Sequence, residues 1–379
     1  MSASLFSRRD FSRALGSLAA AFAVPRLPLE LDDRRAKPAP PNSIHLNLNE
    51  NPYGPSPKAL EALGSCGQVA ARYPDSFERE LTDALAKKYS VSRENIALGC
   101  GSTEILRCVD MAFLGPGKNI VAAQPTFEAV LAYARITRAE PITIPLNSDH
   151  RHDLAKMAAA CTSKTGVVYV CNPNNPTGTI VWRDELASFI HAVPASTLIL
   201  VDEAYFDFAD DPRYSSAVEW IATNPNVVIA RTFSKIYGMA GMRLGYAVGA
   251  KETIAQIREQ SLRDNANAAV LAAGLASLRD PANIGACREK LNETRSWLCN
   301  ELSKDGRFFI PSQANFMMID MQTDVRPVID QFAARNILVG RHFPSMSNYL
   351  RITIGTQPEI ETFLATLREI APANVYKAA

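Results

Sequence analysis

The sequence predicts an α/β fold in which a mainly parallel β-sheet lies between helices. Between residues 95 and 233, short and continuously apolar runs alternate with segments of helical periodicity, as expected for parallel strands that are buried on both faces. Residues with special chemistry come directly after several of these runs, where ligands of open α/β sheets bind. A chain of 379 residues that is 47% hydrophobic can form one large domain and a smaller one.

The first 23 residues differ in character from the rest. Paired Arg8 and Arg9 precede Phe11, an apolar stretch follows, and the small residues "AFA" end at Ala23. This pattern is typical of a twin-arginine export signal, and it predicts a periplasmic or secreted protein. The alternative is an uncleaved N-terminal extension on a cytoplasmic protein. Residues 24–75 are predicted to form a proline-rich linker followed by an N-terminal arm and substrate loop, with a helix from about Lys58.

Residues 76–265 are predicted to form the large domain. Apolar runs in this region predict strands near residues 95–98, 119–127, 141–146, 165–171, 197–205 and 226–233. Helical spacing predicts helices over 76–89, after the glycine turn at 99–101, and over 127–136, 153–159, 183–191 and 215–222.

Residues 266–379 are predicted to form a smaller α+β domain. A long helical region over 252–304 leads into it, and strands near 307–321, 336–343 and 349–356 surround a helix near 325–334. These strands alternate with helices less regularly, which favours mainly antiparallel pairing. A final helix is expected from Pro358 to Ile370.

Overall composition excludes several partners. With 40 basic and 39 acidic side chains, the chain has no electrostatic preference for nucleic acid or an anionic membrane, and a small molecule is the expected ligand. Seven cysteines without a CxxC pair are interpreted as free thiols. His150 and His152 lie in a polar run that indicates a loop, so no metal site is predicted.

Glycines after the first strand predict an anion site. Gly99 and Gly101 allow a tight turn, and the amides of Ser102, Thr103 and Glu104 then begin a helix, whose N-terminus favours an anion. An ordinary glycine turn is the alternative. The spacing matches neither a dinucleotide fingerprint nor a phosphate loop with lysine, so a smaller phosphorylated ligand fits better.

Two further strand ends carry charges. Asp202 would suit a protonated ring nitrogen, with Tyr205 near a ring oxygen, although a helix-capping aspartate is the alternative. Lys235, desolvated at a strand end and close to Arg243, would have a lowered pKa and become an imine-forming amine; a surface lysine is the alternative. With Ser234 and Arg243 on the same phosphate, these groups together describe a pyridoxal 5′-phosphate site.

The sequence resembles the fold-type I pyridoxal phosphate aminotransferases of the aspartate aminotransferase superfamily. It resembles most of all their histidinol-phosphate aminotransferase branch. The matching motifs occur in the family's order between residues 47 and 356: "NENPYGPSP", "RYPD", "GSTE", "NPNNPTG", "DEAY", "SK" with an arginine eight residues on, and "YLRITIGT". The resemblance implies a large domain with a mainly parallel seven-stranded sheet between helices, a smaller C-terminal domain, and pyridoxal 5′-phosphate as cofactor.

The resemblance also implies site residues, carried over by position in the motifs. Lys235 would bind the cofactor and shuttle a proton, Asp202 would pair with its ring nitrogen, and Tyr205 with Asn175 would bind its phenolic oxygen; Lys235, Asp202 and Tyr205 form the catalytic set. Phe127 would stack on the ring. The phosphate would be held by Ser102, Thr103, Glu104, Thr232, Ser234 and Arg243. Tyr73 would reach the cofactor of a neighbouring subunit, which implies a homodimer.

Substrate residues are implied in the same way. Arg351 would clamp a substrate carboxylate or phosphate, Asn175 would contribute beside it, and Tyr53 would close over the substrate. Arg341 stands one position away from an arginine that family members use. The implied reaction converts L-histidinol phosphate and 2-oxoglutarate to imidazole acetol phosphate and L-glutamate by a ping-pong cycle. Open alternatives are an exported aminotransferase for aromatic or other amino acids, a decarboxylase or lyase, and an inactive binding protein with this fold.

Overall fold

A computed structural model describes residue 40 and residues 42–372. The chain divides into two units, Met1–Pro40 and Pro41–Ala379, and every element below lies in the second. The predicted export signal lies outside the described residues. No helix in the described part is both long enough and apolar enough to cross a membrane.

The central sheet has seven strands in the spatial order β2-β8-β7-β6-β5-β3-β4. They are β2 (Ile96–Gly99), β3 (Asn119–Gln124), β4 (Glu140–Pro145), β5 (Thr165–Cys171), β6 (Leu198–Asp202), β7 (Val227–Thr232) and β8 (Gly245–Gly249). All neighbours pair in parallel except β8, which runs antiparallel to both β2 and β7. The predicted mainly parallel seven-stranded sheet is confirmed, although the sequence reading had no strand at β8.

Helices connect these strands and cover both faces of the sheet. The helices before and within the sheet region are α1 (Pro57–Ser65), α2 (Asp75–Tyr89), α3 (Ser102–Phe113), α4 (Ala129–Ile136), α5 (Leu154–Ala160), α6 (Arg183–Ala192) and α7 (Lys251–Glu259). One face packs Tyr169, Leu200 and Ala230 against apolar residues of α3, α4 and α7. The other face belongs to a larger core that continues into the C-terminal part of the chain.

The C-terminal part contains α8 (Ala268–Leu278), α9 (Pro281–Lys304), α10 (Arg326–Ala333) and α11 (Gln357–Ile370). Its antiparallel sheet has the order β12-β10-β9, formed by β9 (Phe309–Ile310), β10 (Phe316–Asp320) and β12 (Tyr349–Thr353). A separate parallel pair joins β1 (Ile44–Leu46) to β11 (Ile337–Val339). The N-terminal arm is therefore anchored on the C-terminal part, while the predicted domain boundary at residue 265 stays a prediction.

One helix prediction was wrong and another is confirmed with more detail. The region 215–222 contains only a 3₁₀ turn, Ala217–Trp220, because Ser216 caps a segment too short for an α-helix. The predicted helical region 252–304 consists of three helices, α7, α8 and α9. The last begins at Pro281, a position where the missing N–H of proline is tolerated. All seven cysteines are free thiols, as predicted, and Cys100 is the exposed one.

Candidate active site

The strand order brings the predicted chemistry to one edge of the sheet. β5, β6 and β7 are neighbours and parallel, so the residues after their carboxyl ends meet. These are the loop 172–178, Asp202 and the segment that contains Lys235. β2 runs in the same direction two positions away, which brings the glycine turn after it to the same edge.

Asp202 is a buried carboxylate with its orientation fixed by two donors. The Tyr169 hydroxyl donates to Oδ2 at 2.9 Å, and the Ala204 amide donates to Oδ1 at 3.1 Å. Only 3% of the residue is exposed. Burial raises the pKa of Asp202 to about 6, although both hydrogen bonds oppose the shift. The group is therefore short of a cationic or strongly donating partner.

Lys235 extends from the segment after β7 toward the N-terminal arm. Its Nζ donates to the backbone carbonyls of Leu48 at 3.1 Å and Asn49 at 3.0 Å, and it lies 5.5 Å from the centre of the Tyr205 ring. Burial, followed by the nearby Arg351 guanidinium, lowers the pKa of Lys235 to about 8. About a tenth of the amine is then neutral and nucleophilic at pH 7, and about half at pH 8.

Tyr205 and Asn175 each form a hydrogen bond with another residue of the chain. The Tyr205 hydroxyl accepts a hydrogen bond from Asn49 Nδ2 at 3.1 Å. Asn175 Oδ1 accepts from Arg351 Nη1 at 2.7 Å, and Arg351 Nη2 donates to the Asn47 carbonyl at 2.9 Å. The N-terminal arm thus touches the lysine, the tyrosine and the arginine of the site.

A cationic cradle lies at the N-terminus of α3. Arg243 Nη1 donates to Ser234 Oγ at 3.1 Å, and the Ser234 amide donates to Thr232 Oγ1 at 3.0 Å. Gly101 has φ +78°, and a Cβ there would lie 2.2 Å from Arg243 Nη2. Among the described side chains, none caps the first turn of α3, so the amides of Ser102 and Thr103 remain free to bind an anion.

The side chain of Glu104, also in this turn, has contacts that were not predicted, since the prediction concerned only its backbone amide. Its carboxylate accepts from the Cys100 amide at 2.5 Å and from Asn265 Nδ2 at 2.9 Å. Glu104 therefore ties the glycine turn to the segment after α7, and its backbone amide donates to the Gly101 carbonyl at 3.3 Å.

Two arginines surround Phe343. The Arg341 guanidinium carbon lies 4.2 Å from the centre of the Phe343 ring, and that of Arg351 lies 5.1 Å from it. Arg341 also forms an ion pair with Glu128, the neighbour of Phe127. Two positive groups separated by one aromatic ring can hold two anionic groups of one small molecule.

Three further predicted site residues are aromatic, and they differ in exposure. Phe127 is partly buried against the face of the central sheet that α3, α4 and α7 cover. Tyr53 is 41% exposed, and Lys290 Nζ of α9 lies 5.3 Å from its ring. Tyr73 is 79% exposed. Among the described residues, no hydrogen bond joins Tyr53 or Tyr73 to Lys235, so their predicted roles stay predictions.

Comparison with known proteins agrees with this arrangement. The sequence model described as "Aminotransferase class I and II" matches residues 41–367. The chain belongs to the class I and II aminotransferases. A histidinol-phosphate aminotransferase of Moorella thermoacetica is 41% identical over 330 residues, which cover 86% of this chain and 85% of the relative. A Brevibacillus brevis protein of the same name is 38% identical and covers 86% and 90%.

Solved aminotransferase structures have the same fold. A putative histidinol-phosphate aminotransferase from Erwinia carotovora atroseptica gives a TM-score of 0.84 at 32% identity, covering 87% of this chain and 96% of the other. The Sinorhizobium meliloti histidinol-phosphate aminotransferase, solved in complex with pyridoxal-5′-phosphate, gives 0.82 at 26% identity and covers 88% and 91%. The predicted fold and aminotransferase activity are confirmed.

Pyridoxal 5′-phosphate is the cofactor of this aminotransferase, and the residues present fit it. The cradle around Gly101 has no room for a Cβ and combines free helix amides with a guanidinium, which are the donors that a phosphate prefers. The buried Asp202 carboxylate and the partly buried Lys235 amine lie at the same edge of the sheet. They provide an acceptor for a ring N–H and an amine for a carbonyl carbon.

Sequence reasoning missed several residues around this site. Tyr169 and Asn49 bind Asp202 and Tyr205, respectively, but a tyrosine inside an apolar strand gives no signal by itself. Glu203, next to Asp202, forms a buried ion pair with Arg231 at 2.7 Å. The charge of Arg231 in the apolar run before Lys235 was the available clue, because a buried arginine requires a partner.

Proposed function

We propose that this aminotransferase transfers the amino group of L-histidinol phosphate to 2-oxoglutarate, giving imidazole acetol phosphate and L-glutamate. The observation that carries the proposal is the placement of Arg341 and Arg351 around Phe343, beside Asn175 and the lysine site. Both glutamate and an amino phosphate ester bring anionic groups to such a site. The names of the relatives at 41% and 38% identity support the same substrate.

We assign the cofactor contacts as follows. Lys235 binds the cofactor, Asp202 accepts from its ring nitrogen, and Tyr205 with Asn175 faces its phenolic oxygen, while Phe127 stacks on the ring. The phosphate group is held by Ser102, Thr103, Glu104, Thr232, Ser234 and Arg243. The support for this set is the shared sheet edge of Asp202 and Lys235 and the cradle at Gly101.

Pyridoxal phosphate supplies a carbonyl carbon that takes up an amine and a ring that accepts the electron pair left on the substrate carbon. Lys235 acts through its Nζ, first as a neutral amine and then as a base that moves a proton from the substrate carbon. Its lowered pKa of about 8 suits both tasks near neutral pH. Asp202 holds the ring proton in place through its fixed carboxylate.

In the half-reaction with glutamate, Arg351 sets which substrate bond is broken. Its guanidinium is fixed by Asn175 and by the Asn47 carbonyl, so a carboxylate bound to it is held in one orientation. The carboxylate of glutamate, held in this way, stays on the substrate, which favours proton transfer from the carbon over loss of carbon dioxide; L-histidinol phosphate has no carboxylate on that carbon and brings only its phosphate to the site. Tyr53, on the arm that carries Asn47, would then cover the bound substrate.

A second candidate is an aminotransferase for amino acids without a distal anionic group, such as aromatic ones. The ion pair between Arg341 and Glu128 favours it, because a neutralised arginine attracts a distal phosphate less. In that case Arg341 is a structural residue.

A substrate panel tests these alternatives. Purified protein loaded with pyridoxal phosphate is mixed with histidinol phosphate, L-glutamate or aromatic amino acids, and the cofactor absorbance is followed in single half-reactions. The proposal predicts rapid amine transfer from histidinol phosphate and from glutamate. Transfer from aromatic amino acids with none from histidinol phosphate would replace it by the second candidate. Arg341→Gln should weaken histidinol phosphate binding selectively under the proposal.

We further propose a homodimer with shared active sites. The exposed Tyr73, at 79%, is available to a second copy and is expected to reach its cofactor phosphate. Mixing a Lys235→Ala protein with a Tyr73→Ala protein tests this. Mixed dimers then contain one site with both residues intact, so activity should recover on mixing. Failure to recover, or a monomeric mass in sedimentation, contradicts the shared site.

We also propose export through the twin-arginine pathway. The support is Arg8, Arg9, Phe11 and the apolar stretch up to Ala23, which lie outside the described residues and before the family match begins at residue 41. Cell fractionation and N-terminal sequencing test it. A periplasmic protein that begins after Ala23 is expected, with retention in the cytoplasm for Arg8→Lys/Arg9→Lys. A cytoplasmic protein with an intact N-terminus contradicts the proposal.

A further inference from the structure

Tyr169 is a polar side chain in an otherwise apolar layer. It lies in the middle of β5, its residue is 0% exposed, and it packs with Val167, Leu200 and Ala122 on the face covered by α3, α4 and α7. A buried hydroxyl is unfavourable unless it has a hydrogen-bond partner. Phenylalanine would fill the same space, so the hydroxyl needs its own explanation.

The strand register explains what the hydroxyl reaches. Tyr169 pairs with Leu200, and Cys171 pairs with Asp202, on the adjacent parallel strands β5 and β6. Tyr169 and Asp202 therefore face the same side of the sheet, one step apart along the strands. The phenol spans this step and donates to Asp202 Oδ2 at 2.9 Å.

We propose that Tyr169 is a positioning residue that orients the Asp202 carboxylate and keeps it ionised for the cofactor's ring nitrogen. The proposal rests on the role assigned to Asp202 above. With Oδ2 bound by Tyr169 and Oδ1 by the Ala204 amide, the plane of the carboxylate is fixed, and lone pairs remain for one further donor. The bond is also charge-assisted, so it stabilises the carboxylate over the carboxylic acid.

The groups around Asp202 other than Tyr169 shift its pKa in opposite directions. Burial is the largest cause that raises the pKa of Asp202, and the adjacent Glu203 raises it further. Lys235 opposes the rise, and the thiol of Cys171 and the phenol of Tyr205 face the same region in neutral form, since the pKa values of both are raised by burial. Removal of the Tyr169 hydroxyl therefore moves the pKa of Asp202 upward, toward protonation near neutral pH.

The test compares Tyr169→Phe with the wild type in cofactor binding and its pH dependence. The dissociation constant of pyridoxal phosphate for the apoprotein is measured by equilibrium titration between pH 5 and 9. Without the hydroxyl, more of Asp202 is protonated at pH 7 and unable to accept from the ring nitrogen; a rise of its pKa by about one to two units predicts about 10-fold weaker binding at that pH. The midpoint of the pH dependence should move to higher pH. Unchanged affinity and an unchanged midpoint would overturn the proposal.

Tyr246→Phe is the matched control. Tyr246 is equally buried in the same sheet at 1% exposure, but its hydroxyl is bonded to Tyr89 at 2.7 Å. It should bind the cofactor as the wild type does. An equal loss of affinity in Tyr246→Phe would mean that any buried phenol supports the sheet, and would overturn a specific role of Tyr169.

Combining the change with Asp202→Asn separates this proposal from the proposed function. If Tyr169 acts through the charge of Asp202, Tyr169→Phe should weaken binding much less in the Asp202→Asn protein than in the wild type. An equal loss in both backgrounds overturns the positioning role. Wild-type affinity in Asp202→Asn would instead contradict the role of Asp202 and the proposal with it, and a wild type that binds no pyridoxal phosphate would contradict the proposed function.

Discussion

Gly101 offers a direct test of the phosphate cradle. With φ +78° and ψ 162°, it has a conformation that is nearly exclusive to glycine, and a side chain there costs about 1–3 kcal/mol in backbone strain. A Cβ would lie 2.2 Å from Arg243 Nη2. Normal contacts are about 3.5 Å or longer, so the guanidinium must move by about 1 Å. That movement would strain its hydrogen bonds to Ser234 and to the Ala240 carbonyl.

Gly101→Ala should therefore lose cofactor affinity beyond its loss of stability. One displaced charge-assisted contact to the phosphate is worth about 1.5–3 kcal/mol, which corresponds to a dissociation constant about 10- to 150-fold higher. The assay is titration of the apoprotein with pyridoxal phosphate, alongside urea unfolding of the same sample. Gly285→Ala in α9, where a Cβ meets nothing within 4 Å, is the control and should bind normally. Wild-type affinity in Gly101→Ala would refute the cradle.

Three further outcomes are expected. Arg231→Met leaves Glu203 buried without its cation and should lower the free energy of unfolding by about 3–5 kcal/mol in urea titrations; a loss below about 1 kcal/mol contradicts the buried pair. The pKa of Asp202 is raised from 3.8 to about 6 on folding, so its contribution to apoprotein stability falls as pH rises from about 4 to 6. Asp202→Asn should therefore stabilise the apoprotein at pH 7 by up to about 3 kcal/mol and hardly at pH 4, and equal effects at both pH values contradict this. Glu128→Gln frees Arg341 and should lower the KM for histidinol phosphate several-fold while that for aromatic amino acids stays unchanged; an equal change for both contradicts a distal anion site.

The sequence predicted the parts of the fold that depend on local patterns. Continuous apolar runs identified six strands of the central sheet, and their ends located Asp202, Lys235 and the glycine turn before any contact was known. β8 was missed because its short run follows the glycine-punctuated segment that was interpreted as part of the cofactor site. The pairing of β1 with β11 joins residues almost 300 positions apart, and no local signal reports such a contact.

Side-chain partners were the less predictable part of the site. The hydrogen bonds of Asn175 with Arg351 and of Tyr205 with Asn49 were not predicted, since the second of them depends on the N-terminal arm folding over the site. The partner of Tyr169 depends on the register of two strands, which alternation alone does not define. The ion pair between Arg341 and Glu128 joins residues more than 200 positions apart, so the sequence gives no signal for the partner of Arg341.

The attachment of the cofactor to Lys235 is the central claim, and peptide mapping after reduction tests it most directly. The protein is loaded with pyridoxal phosphate, treated with borohydride to make the carbon–nitrogen bond permanent, digested and analysed by mass spectrometry. The account predicts the cofactor mass on the peptide that contains Lys235, and no label in Lys235→Ala. A label on another lysine, or none in the wild-type protein, would contradict it.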